Sequence, residues 1–257
     1  MAAVPSLQKF WNKNEKRGLH VFHIECQDND IDAVERFVRA RKMTFPNVRK
    51  ADGNFGKYAT SNLPLPHAWV IGVNGTVIWE GAKGYKPIVE AELKKVRYPG
   101  LGRNDIAADA KRSAEAFGKG TFGKAMSEAK KQLGKTEDSE AKADLEYIVA
   151  RVDAFVKRKQ ATVEEAKGER QFGRAVAIMD ELSKRMKGSP IGDTLKSDLK
   201  KFRKDKACKS GLAAEAAWPA VYKMLGDEKR TNSQNKKLLQ GFIKKHEGTK
   251  EAEKAFE

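Results

Sequence analysis

The sequence predicts an α/β domain followed by an all-α helical array, on the strength of three observations. Residues 68–73 and 76–80 are rich in Val, Ile and Trp and flank Asn74-Gly75. That pair is the strongest short-range hairpin cue, because Asn and Gly tolerate the positive φ of a tight turn. Beyond residue 102, apolar residues recur at helical spacing and strand cues are absent. Between the two regions, Pro99-Gly100-Leu101-Gly102 breaks the pattern. The expected domains are residues 1–98 and 104–257.

Taken in order, residues 5–16 place Leu7, Phe10 and Trp11 at helical spacing, and Gly18 ends that helix. Residues 19–25 alternate incompletely and read as a mostly buried strand. Asp30 or Asn29 caps the next helix, whose apolar set Ile31, Val34, Phe37 and Val38 keeps the i, i+3, i+4, i+7 rule. Residues 43–65 are punctuated by prolines and glycines and read as loop, with a helical turn near residues 55–59. The hairpin follows, and an amphipathic helix at residues 87–96 closes the domain. In the second domain, one helix covers residues 105–117. Leu145, Ile148, Val149, Val152 and Phe155 then share a face, as do Phe172, Val176, Met179, Leu182 and Met186. Leu195, Leu199 and Phe202 make a third face, and Leu238, Leu239, Phe242 and Ile243 a last one. About six or seven antiparallel helices are expected.

The second domain also repeats itself. Phe122-Gly123-Lys124-Ala125 recurs as Phe172-Gly173-Arg174-Ala175, and Lys187-Gly188-Ser189 recurs as Glu247-Gly248-Thr249. A small residue beside an aromatic, then helix, turn and helix, is what helix-pair solenoids of the tetratricopeptide kind need for close approach. The offsets are 50 and 60 residues, unlike a fixed repeat of about 34, so an irregular bundle stands beside true repeats.

Lys+Arg number 51 against Asp+Glu 35, a net charge of +16. Residues 1–99 carry 16 basic and 10 acidic groups, leaving 35 and 25, so the excess is +6 and +10 and neither half monopolises it. A basic surface favours acidic partners or nucleic acid, while signs mixed along helical faces read as solvated helices. No nucleic-acid module is recognised, and aromatics are not interleaved with the basic residues as single-strand platforms require. No segment is apolar for long enough to span a bilayer, and the N-terminus lacks the apolar core of a signal peptide. The chain as written is therefore expected to stay in the cytoplasm.

The residues that invite a chemical reading are few. Residues 118–125 come within one residue of a phosphate-binding loop, but a helix precedes them and Ala125 stands where a magnesium-binding hydroxyl belongs, so they read as a glycine-rich turn between helices. His20, His23 and Cys26 are three apart, and on a strand such positions face opposite sides, so no metal site is expected there. The only cysteines, Cys26 and Cys208, form no disulfide framework or zinc pattern. Cys208 has cations around it, Arg203, Lys206 and Lys209. Asn74-Gly75-Thr76 is also a glycosylation sequon, for which the turn role suffices.

Pro66, the hairpin, residues 87–96, the strand at residues 18–25, the helix at residues 31–42 and the segment at residues 52–58 follow the order of a thioredoxin fold. Residues 4–97 resemble that family, and its redoxin branch in particular. The resemblance implies that Pro66 is cis and that Leu65, Pro66 and His67 line a peptide-binding surface. It also implies a central strand and a Cys-x-x-Cys pair ahead of residues 5–16, and residue 1 falls after that place. The domain is thus expected to lack its central strand and to be redox-inactive as written, a protein-binding module without cofactor or metal. A natural start further upstream would instead imply a thiol-disulfide oxidoreductase exported from the cytoplasm. Cys26, at the end of the strand that would neighbour the missing one, is the remaining catalytic candidate, although Glu25, Asp28 and Asp30 disfavour a thiolate there.

Overall fold

The computed structural model describes residues 3–25, 29–49, 66–227 and 230–255. The chain is mostly helical with small sheets, and it divides into two units, Met1–Asp105 and Ile106–Glu257.

In the first unit, α1 (Ala3–Asn14) uses neighbouring residues to hold two different partners. Phe10 enters a core with Val70, Val89 and Leu93, while Trp11 meets Phe45 edge-on at 6.1 Å. Gln8 adds a two-way link, donating to Thr44 Oγ1 at 2.8 Å and accepting from Thr44 N at 2.9 Å. A short 3-10 turn and Gly18, at φ +102°, end this helical segment; a side chain there would press on Val96.

Strand β1 (His23–Glu25) pairs in parallel with β2 (Asn47–Arg49), His23 opposite Asn47. Between them runs α2 (Ile31–Ala40), capped by Asp30, whose Oδ1 accepts from Ala33 N at 2.6 Å. Strand β3 (Ala68–Ile71) pairs antiparallel with β4 (Val77–Gly81), and α3 (Tyr85–Leu93) packs behind them. Among the described residues the four strands form two separate two-stranded sheets. The expected strand at residues 19–25 is correspondingly short, since a ladder lasts only as long as its partner. Phe22 and Ile71 stay 64% and 61% exposed.

The hairpin differs from the expected two-residue turn. Only Gly75 takes positive φ, +81°, while Asn74 does not. Its side chain accepts from Thr76 N and Oγ1 instead, and the ladder is irregular between Val70 and Ile71. The connection therefore spans residues 72–76, closed by Gly72 N donating to Thr76 O at 2.8 Å. Residues 50–65, with the expected turn near residues 55–59, lie outside the described residues.

The second unit is a succession of helices: α4 (Lys111–Gly118), α5 (Phe122–Leu133), α6 (Ser139–Gly168), α7 (Phe172–Arg185), α8 (Pro190–Lys204), α9 (Lys206–Leu225), α10 (Asn232–Lys245) and α11 (Lys250–Lys254). The expected helix at residues 105–117 begins later, after a 3-10 turn at Ala108–Ala110. Buried Asp144 accepts from Ala107 N at 2.8 Å and holds this entry against α6. Val163, Ala166, Ala175, Met179 and Leu199 bring α6, α7 and α8 into one core, and Ala214, Val221 and Phe242 join α9 to α10.

Candidate functional site

The sequence echo in the second unit is a conformational echo. Gly120 and Arg170 both take left-handed φ, +73° and +55°, between consecutive helices. The residues that follow agree closely: Thr121 at φ −90°, ψ 68° and Gln171 at φ −87°, ψ 67°. Their amides reach back alike, Thr121 N to Ala116 O and Gln171 N to Ala166 O. The other pair of turns matches as well. Gly188 and Gly248 lie at φ +84° and +76°. Ser189 and Thr249 each cap the next helix and donate to the carbonyls of Met186 and His246. The carbonyls of Gly188 and Gly248 also accept side-chain hydrogen bonds from earlier in the unit. Ser127 on α5 donates to Gly188 O at 3.0 Å, and Arg170 donates to Gly248 O at 3.2 Å.

Glycine permits this packing. A Cβ at Gly123 or at Gly192 would fall on Met186 O, and one at Gly173 would fall on the Glu215 carboxylate. Both oxygens of Glu215 lie 3.0 Å from Gly173 N, so a side chain of α9 satisfies the first turn of α7. Sequence reasoning found the small residue at Gly173 but not its partner, which lies 42 positions away.

The residues predicted to carry chemistry are placed as follows. Cys26 and Leu65 lie outside the described residues. Pro66 is exposed, and His67 next to it is turned inward, its side chain only 8% exposed. The imidazole packs against Trp69 at 4.7 Å, and Nε2 lies 3.0 Å from Glu80 Oε1. A carboxylate only accepts, so Nε2 carries the proton, and Nδ1 is left buried without a hydrogen-bond partner among the described residues. His23 stacks on Phe37 at 6.0 Å, apart from any ligand set. Among the described residues no group of three His, Cys, Asp or Glu is placed to hold a metal ion, and no helix is long and apolar enough to cross a membrane.

Cys208 is fully buried. Burial pushes its thiol up, with the charges of Asp205 and Glu215 adding to that and Arg203 and Lys167 opposing it. The cations legible in the sequence are outweighed, and the thiol is held away from thiolate chemistry. Of the glycine-rich residues 118–125, only residues 119–121 form the turn between α4 and α5, and Phe122 onward belongs to α5. No protein-family model, no curated protein and no solved structure matches this chain.

Proposed function

We propose that this chain is a protein-binding scaffold, a thioredoxin-like α/β unit that is redox-inactive as written over residues 1–257, joined to a tetratricopeptide-like helical array. The observation that carries the reading is that two kinds of turn in the second unit each occur twice, with matched dihedrals and matched back-bonds at residues 120 and 170 and at residues 188 and 248. Recurrent helix pairs stacked through glycine contacts build extended surfaces suited to holding partners. For the first unit, support comes from the order parallel β1–α2–β2, antiparallel β3–β4 and closing helix α3. On this reading Leu65, Pro66 and His67 belong to a peptide-contact surface. His67 contributes by stiffening it through Trp69 and Glu80.

Residues 1–257 contain no Cys-x-x-Cys pair, so the dithiol needed to resolve a mixed disulfide is not supplied. The test is twofold. The chain should retain defined members of an immobilised peptide panel above scrambled controls, and it should not accelerate insulin reduction by dithiothreitol. Indifference to sequence across the panel removes the scaffold reading. Catalysis of insulin reduction removes the redox-inactive reading and would point to Cys26.

A further inference from the structure

Residues 200–209 hold six cations and one acid. They run from the last turn of α8 through Asp205 into the first turn of α9. Asp205 closes one helix and caps the other, its Oδ1 accepting from Cys208 N at 3.0 Å. Lys200 and Lys204 stand one turn apart on α8, Lys204 and Lys206 flank Asp205, and Lys206 and Lys209 stand one turn apart on α9. All four are exposed, and among the described residues none enters an ion pair. The other two cations are engaged, Lys201 with Asp198 at 3.9 Å and Arg203 with Asp180 at 3.8 Å.

Cations at the end of α8 complement its dipole, whereas Lys206 and Lys209 sit at the positive end of α9, where the capping Asp205 is the one carboxylate within the row. Four exposed cations without an ion pair among the described residues present a patch complementary to an anionic occupant. Along α8 the row extends to exposed Lys196, one turn before Lys200, and stops at Asp193. Asp198 and Asp180 beside it are engaged by Lys201 and by Lys184 and Arg203. A nucleic-acid backbone continuing past Lys196 would meet the Asp193 carboxylate. Phe202, the aromatic beside the row, is half-buried beneath the Lys167 ammonium and offers no open stacking platform.

We propose that Lys200, Lys204, Lys206 and Lys209 form a docking row for a short run of Asp or Glu in a partner protein. The proposal rests on the protein-binding reading above and assigns it a site and a partner chemistry. The test titrates the full chain against fluorescein-labelled octaglutamate, with oligothymidylate and a short DNA duplex as separate arms, by anisotropy at low and at physiological salt. One variant, K200E/K204E/K206E/K209E, reverses the row. A second, K236E/K237E/K244E/K245E, makes the same change of net charge on exposed lysines of α10. Octaglutamate should bind the parent chain less tightly as salt rises, and the row variant should lose about tenfold or more while the α10 variant loses less than about threefold. Circular dichroism should show both variants folded, and K200Q/K204Q/K206Q/K209Q should lose affinity in the same direction. Equal losses in the two reversals overturn the proposal, as does binding of either nucleic acid through the row without binding of octaglutamate. If panel peptides bind the row variant undiminished while octaglutamate fails on the parent, the row is wrong and the scaffold reading stands. If no peptide binds at all, both fall.

Discussion

Glu215 and Gly173 make a pair whose energetics reverse sign with context. Glu215 accepts from Gly173 N through both oxygens at 3.0 Å, and the space for its carboxylate exists because residue 173 has no Cβ. A charge-assisted hydrogen bond at a helix N-terminus contributes roughly 2 kcal/mol, so Glu215→Ala should destabilise the second unit by about that amount. Gly173→Ala alone displaces the carboxylate but gains roughly 0.8 kcal/mol of helix propensity, for a net loss of about 1 kcal/mol. In the Glu215→Ala background nothing is left to displace, and the same Gly173→Ala should stabilise by roughly 0.8 kcal/mol. For a unit of this size each kcal/mol moves Tm by about 2–4 °C. Differential scanning calorimetry on the four members of the cycle separates the transitions of the two units. Gly173→Ala acting with one sign in both backgrounds would refute the account of α7 capping.

Two further outcomes follow from single groups. The Lys95 ammonium at 2.7 Å, with the Val73 amide, holds the Glu92 carboxyl below the usual carboxylate range. Its stabilising effect is therefore full above the ordinary Glu value and is lost as pH falls through the lowered one. Glu92→Gln should flatten the acid limb of the Tm-against-pH curve for the first unit, and parallel limbs in variant and parent exclude this role. Cys208, buried with its thiol pushed up, should resist iodoacetamide at neutral pH in a Cys26→Ser background and label fully once urea unfolds the chain. Rapid native labelling would mean that the α8–α9 corner opens.

Much of the helical half was legible, because helix formation depends on neighbours a few positions apart. The apolar sets on α6, α7, α8 and α10 predicted which faces turn inward, and Leu145, Ile148, Leu182 and Leu199 are indeed buried. The cap at Asp30 was legible for the same reason, as its acceptor and donor are three residues apart. The turn at Asn74-Gly75 was only half legible. The dipeptide announces reversal of the chain, but the ladder irregularity beside Ile71 relieved Asn74 of positive φ.

Sequence by itself determined the apolar faces of α6, α7, α8 and α10, the chain reversal at the hairpin, the repeated glycine turns and the crowding of cations at residues 200–209, since each is a property of contiguous residues. Tertiary structure alone decided that Glu215 would serve Gly173, that His67 would turn inward onto Trp69 and Glu80, and that Cys208 would lose its cationic setting to burial. It also left the four strands among the described residues as two small sheets. These outcomes depend on which distant segments come into contact and on how much water they exclude, and neither quantity is encoded in the spacing of neighbours along the chain.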